Sequence, residues 1–152
     1  NERTIKYFKK SYLNPPNNFE NYKIFLPSSN GSGAIGEVLS TPVMGYPVMG
    51  YPVMGATETF LSFGNFQTLN EAQNLLKYFK SKFARLMLGT RKVTQGNKNS
   101  KIWYNVPLQD FTENSDIDWS KSVHEIDLQL YKKYGLDANE INFIETHVKE
   151  MV

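Results

Sequence analysis

From Thr68 to Gly89 the chain carries the pattern that most restricts its choice of structure. Apolar side chains stand at Ala72, Leu75, Leu76, Phe79, Phe83 and Leu86, the spacing that lines one face of an α-helix. The run opens on Thr68-Leu69-Asn70-Glu71, a capping box in which the Thr68 hydroxyl accepts from the Glu71 amide and the Glu71 carboxylate reaches back to the Thr68 amide. Gly89 suits the position just past the last turn. The spacing predicts one long amphipathic helix over residues 69–88, with Leu75, Leu76, Phe79, Phe83 and Leu86 buried, and a domain must be built to cover that face.

The flanking sequence supplies the material. Residues 22–26 (YKIFL), 58–63 (ETFLSF) and 101–106 (KIWYNV) read as strands, with a further short one at 37–41 (EVLST). Residues 27–36 (PSSNGSGAIG) form a turn-rich loop between them. A second capping box, Ser122-Val123-His124-Glu125, opens a helix that ends at Gly135, and Asp137 with Glu140 opens another running to about residue 149. Their short link predicts a helical hairpin. Strands and helices without regular alternation give an α+β fold: a mixed small sheet with one long amphipathic helix, followed by a C-terminal helical hairpin. Residues 1–20, where Pro15 and Pro16 break any helix, read as a linker, 21–110 as the α+β domain and 111–152 as the hairpin.

A tandem repeat interrupts the strand region. Residues 42–45 (PVMG), 46–50 (YPVMG) and 51–55 (YPVMG) are three copies of one unit. Proline has no amide to donate, so prolines five residues apart do not fit a central strand, and an odd period flips the side chains between faces from copy to copy. The expectation is an extended loop with Met and Val as anchors.

Composition narrows the function classes. With 40% hydrophobic and 14% aromatic residues the chain can bury a core and is not of disordered type. It has no cysteine, which excludes disulfides and thiolate-bound metals. No stretch approaches the roughly 18 apolar residues of a membrane span, and the N-terminus lacks the apolar segment of a signal peptide; a cytoplasmic location without a membrane partner is expected. The chain does not begin with Met, which points to a piece of something longer. Its charge is uneven. Residues 1–109 carry thirteen Lys and Arg against five Asp and Glu, and residues 110–152 carry four against ten. A basic body with an acidic tail suits a polyanionic partner, or two solvated faces of opposite sign.

The motifs for catalysis fail one by one. Residues 31–36 (GSGAIG) match GxGxxG, but a dinucleotide site needs a helix to open inside that motif, and the next residues read as a strand and then a proline. Asn14-Pro15-Pro16-Asn17 resembles the (D/N)PP(Y/F) motif of adenine-N6 methyltransferases, but Asn17 stands where an aromatic would stack on the flipped base; these residues read as a turn. A metal-dependent nuclease places a carboxylate two residues before a lysine, and no lysine here has one. His124 and His147 lie far apart, while Glu113, Asp116 and Asp118 look like turn and cap residues. No catalytic residue and no metal ligand is assigned.

The functional signal is basic. Lys77, Lys80, Lys82, Arg85, Arg91, Lys92, Lys98 and Lys101 follow one another with no acidic residue between Glu71 and Asp110. After Gly89, residues 90–101 (TRKVTQGNKNSK) are almost wholly polar. They include side chains that read base edges bidentately, Arg on guanine and Gln or Asn on adenine, with lysines for phosphates. The candidate DNA-binding residues are Lys77, Lys80 and Arg85 toward phosphates, and Arg91, Lys92, Thr94, Gln95, Asn97, Lys98 and Lys101 in the loop.

The strings YKIFLPSSNGSGAIGE, LLKYFKSKFARLMLGTRKVTQ, VPLQDFT and SDIDWSK…YKKYGL together resemble the C-terminal specificity region of bacterial restriction–modification enzymes that also carry an adenine-specific DNA methylase-like portion. The resemblance covers nearly the whole chain from about Tyr22 onward. It implies that residues 21–110 are a target-recognition domain, that the catalytic domains precede this segment in the parent chain, and that double-stranded DNA is the partner. It implies that this chain itself holds no cofactor, and that S-adenosylmethionine and Mg²⁺ belong to the parent. The C-terminal hairpin would pack on the rest of the enzyme or cap the domain. A metal-dependent endonuclease with an unread site, and a protein-interaction module using the Met-rich repeat, remain the alternatives.

Overall fold

A computed structural model describes residues 9–29 and 45–151. Residues 22–27 are almost continuously apolar, and strand β1 (Tyr22–Pro27) lies accordingly at the centre of a three-stranded sheet, with Lys23 to Leu26 buried. Strand β2 (Val48–Gly50) and strand β3 (Phe60–Phe66) flank it, both antiparallel to it. The expected sheet is therefore present, with every pairing antiparallel. β3 bulges at Gly64, whose φ of 84° is a backbone conformation that side chains disfavour. A Cβ there would lie 2.2 Å from the Phe66 ring.

The repeat is not all loop. Its second copy supplies β2, which pairs on one side only and is bracketed by Pro47 and Pro52. The proline argument excludes a central strand and leaves an edge strand permitted, and the chain takes that option. The loop and strand expected over residues 30–41, GxGxxG included, lie outside the described residues.

The long helix is in fact two. Helix α1 (Leu69–Lys80) starts with the Thr68/Glu71 capping box, and helix α2 (Lys82–Gly89) restarts after an extended residue, Ser81, at φ −61° and ψ 147°. The Ser81 hydroxyl accepts from the Ala84 amide, and the Asp127 carboxylate takes the amides of Lys82 and Phe83 at 3.0 and 2.9 Å. A carboxylate from a distant element thus caps the N-terminus of α2, where the helix dipole favours it. The apolar face survives the break. Ala72, Leu75, Phe79 and Phe83 are buried, whereas Leu76 and Leu86 are only partly so and pack against the core.

Residues 101–106 do not form a strand. Ser100–Trp103 is a short 3₁₀ turn, started by the Asn99 side chain on the Lys101 amide. The Trp103 ring packs between Phe63 and Phe79, at 4.8 and 5.7 Å. The acidic tail gives helix α3 (Val123–Lys133) and helix α4 (Ala138–His147), each with its predicted capping box. They share the core: Ile126, Leu130, Ile144, Val148 and Met151 belong to one cluster with Ile24, Leu26, Phe79 and Phe83. Of residues 9–20, Phe19 is buried, and the Pro16 carbonyl accepts from its amide, the turn expected of this proline pair. No helix among the described residues is long and apolar enough to cross a membrane.

Candidate nucleic-acid interface

The segment after α2 leaves the core at Gly89 and returns at Ile102, and its middle is nailed to the sheet. Asn97, 1% exposed, donates from its amide to Ser28 O and from Nδ2 to Pro27 O, both at 2.8 Å. Its own carbonyl accepts from the Trp103 indole at 3.0 Å. Gly96 forms a bridge with Ser29. A long polar loop is thereby given a fixed base at Gly96 and Asn97.

The ten candidate residues separate into two groups. Arg91, Thr94, Gln95, Lys98 and Lys101 are exposed. Arg91 lies over the Tyr104 ring at 4.8 Å and donates from Nε to Asn105 Oδ1 at 2.8 Å. The ring, itself 80% exposed, holds the guanidinium in the loop's outward face. These five side chains form the accessible basic and polar surface.

The other five serve the fold in whole or in part. Arg85, assigned from its sequence position to phosphates, is 0% exposed. It donates from Nη2 to Lys149 O at 2.6 Å and from Nε to Ser81 O at 3.2 Å and Lys80 O at 3.3 Å. Its helix face turns inward once the break at Ser81 re-aims α2. Lys77 does not sit beside Lys80 on an open face either, because its ammonium donates to Trp119 O and Lys121 O, at 2.7 and 3.0 Å. Lys92 and Asn97, assigned nearer the bases, are buried. Desolvation pushes the Lys92 ammonium down to about 8. Lys80 is half-buried, at the edge of a cavity of about 150 Å³ shared with Lys82, Arg85, His124, Asp127 and Glu145.

Asp110, Asp116 and Asp118 each have a partner. Asp116 pairs with Lys133 at 2.7 Å. Asp118 caps Ser120 and Asp110 caps Thr112, and those hydrogen bonds hold both carboxyls below the usual range. Among the described residues no group of three or more His, Asp or Glu is placed to hold a metal ion.

Sequence reasoning missed an aromatic cleft of about 530 Å³, walled by Phe63, Phe66, Phe79, Trp103 and Phe111. These rings come from four separate segments, so no local spacing announces them. It also missed Lys23, 1% exposed in the central strand, whose ammonium donates to the carbonyls of Asn18, Phe19 and Asn21 at 2.9 Å and of Tyr51 at 3.3 Å. Comparison with known proteins finds no matching family model, no matching curated protein and no matching solved structure.

Proposed function

We propose that this chain recognises double-stranded DNA in a sequence-specific way, as the C-terminal part of a cytoplasmic restriction–modification enzyme. The observation that carries the reading is the loop itself: a base pinned by Asn97 and Trp103, and an outward face of Arg91, Thr94, Gln95, Lys98 and Lys101. Lysines on such a face neutralise phosphates, so that affinity falls steeply as salt rises. Arg91 and Gln95 carry the planar groups that pair with two base atoms at once. Endonuclease or adenine-N6 methyltransferase chemistry, with S-adenosylmethionine and Mg²⁺, is assigned to the preceding catalytic domains.

The exposed repeat side chains Tyr46, Val48, Tyr51, Val53 and Met54 favour a second role, as an apolar docking patch for those domains. The test of the DNA reading uses the whole enzyme. Gln95→Ala should cost roughly 1–3 kcal/mol on the cognate duplex and far less on a scrambled one. Equal losses on both duplexes, or none on either, contradict base reading by this loop.

A further inference from the structure

Phe63 and Phe66 stand three residues apart, a spacing that puts side chains on opposite faces of a regular strand. The bulge between them undoes this. Tyr22 and Ile24 of β1 pair with Phe66 and Phe63, so two residues of advance on β1 meet three on β3. Both rings therefore line the cleft of about 530 Å³. Each seeds an aromatic group there. Phe63 lies against Phe79 and Trp103, with centroids 5.2 and 4.8 Å away. Phe66 lies 6.0 Å from Phe111, which in turn lies 5.9 Å from Tyr78. Phe79, Tyr78 and Phe111 are buried, whereas Phe63, Phe66 and Trp103 keep part of their surface open. The rim at residues 107–109 is held in place as well, because Tyr78 Oη and Gln109 Nε2 both donate to Pro107 O, at 2.7 and 3.0 Å.

Charge in the cleft has one sign. Glu71 and Asp110 line it, and among the lining residues there is no Lys, Arg or His. Glu71 makes both of its bonds to Thr68 through Oε2, and so caps α1 with one carboxylate oxygen. Asp110 accepts from the Thr112 amide, a bond that holds its carboxyl below the usual range and keeps it ionised at neutral pH. Lys133, whose charge reaches Asp110, is itself held by Asp116 and Gln109, at 2.7 and 3.0 Å.

We propose that this cleft binds a small organic cation, a ligand with an aromatic or aliphatic body and one ammonium-type charge. Aromatic faces are the negative side of the ring quadrupole and attract a cation lying over them. The two carboxylates add potential of the same sign. The volume falls in the range of small-molecule sites, which are mostly apolar with a few polar groups that fix orientation. A phosphate or carboxylate ligand would meet like charge at Glu71 and Asp110, and a neutral ligand would gain burial alone. The site is therefore opposite in preference to the basic loop after α2, and it does not rest on the DNA reading.

Three probes with the same indole ring and a short chain separate charge from burial: tryptamine as the cation, tryptophol as its neutral counterpart and indole-3-acetate as the anion. Each is titrated into the full ¹⁵N-labelled chain and followed by NMR. Tryptamine should shift the Gly64 amide and the Trp103 indole N–H saturably, with a dissociation constant in the low-millimolar range or tighter for a probe of this size. Tryptophol should bind about tenfold more weakly, and indole-3-acetate should give no saturable shift. Glu71→Gln/Asp110→Asn keeps the capping box and the acceptor for Thr112; it should weaken tryptamine several-fold and leave tryptophol unchanged. Leu108→Lys adds a cation at a rim position that is 90% exposed, where folding is not at stake, and should do the same. Equal binding of tryptamine and tryptophol would show a cleft that selects only apolar bulk, and would overturn the proposal. So would saturation mapped away from Gly64 and Trp103, no saturable shift with tryptamine, or variants that bind it as wild type does. Shifts of the same signals on diluting the free chain would put a second copy in the cleft, and would overturn it too.

Discussion

Arg85→Ala separates the structural role of this guanidinium from a DNA-contacting one. The substitution removes the donors to Lys80 O, Ser81 O and Lys149 O. It also deprives Asp127, 1% exposed, of a nearby cation whose charge favours its ionised form. Hydrogen bonds from a charged donor contribute about 1.5–3 kcal/mol each, and with three lost and the vacated carbonyls only partly re-solvated a cost of about 3–5 kcal/mol is expected. For a chain of this length each kcal/mol lowers the melting temperature by about 2–4 °C, so a fall of about 6–20 °C is expected. Urea unfolding followed by fluorescence of Trp103 and Trp119, both packed in or against the core, gives the free energy. The m-value should not change, since the same surface is exposed on unfolding. Arg85→Lys should also destabilise, because an ammonium cannot reproduce the planar fork that reaches three carbonyls. Affinity of the folded variant for duplex DNA should stay within about twofold, well under the cost of removing a base-reading side chain. A stability change below about 1 kcal/mol together with abolished DNA binding would refute the reasoning and return Arg85 to the interface.

Two further substitutions probe the packing and the buried charge. Phe79→Ala empties a core site that touches Phe63 and Trp103; it should cost about 3–5 kcal/mol in the same urea assay, and a cost below about 1 kcal/mol would mean that this face of α1 is not packed. Burial pushes the Asp127 carboxyl up to about 6 from 3.8, against the pull of the two amides it caps. Between those values the folded chain holds a proton that the unfolded chain has released, so this group's contribution to stability rises as pH falls from 6 toward 4. Wild type should gain on Asp127→Asn by up to about 3 kcal/mol over that descent, and a difference independent of pH contradicts the burial argument.

The sequence discloses elements whose signals are local. Thr68, Ser122 and Asp137 each start a helix where their capping residues say so, because the bonds that fix a helix start lie within four residues. The strand at Tyr22 is similarly plain. The break at Ser81 is hidden because apolar periodicity runs straight through it, and half of its cap comes from Asp127, far along the chain. Residues 101–106 have strand composition, but the Asn99 cap and the seat of Trp103 between Phe63 and Phe79 decide for a 3₁₀ turn. The candidate site divides along the same line. Charge marks Arg85, Lys92 and Lys98 alike, and only tertiary packing buries the first two and leaves Lys98 exposed.

The claim that the loop after α2 meets DNA is tested most directly by salt dependence. Fluorescence anisotropy of a labelled duplex, titrated with wild type and with Lys98→Ala/Lys101→Ala at several salt concentrations, yields the slope of log affinity against log salt. Both lysines are exposed, so the double variant should fold as wild type does, and removing each ammonium from a phosphate should lower the slope by about one. The account predicts a slope reduced by about two on cognate and random duplexes alike. An unchanged slope with unchanged affinity would show that this basic face is merely solvated and that DNA, if bound, is bound elsewhere.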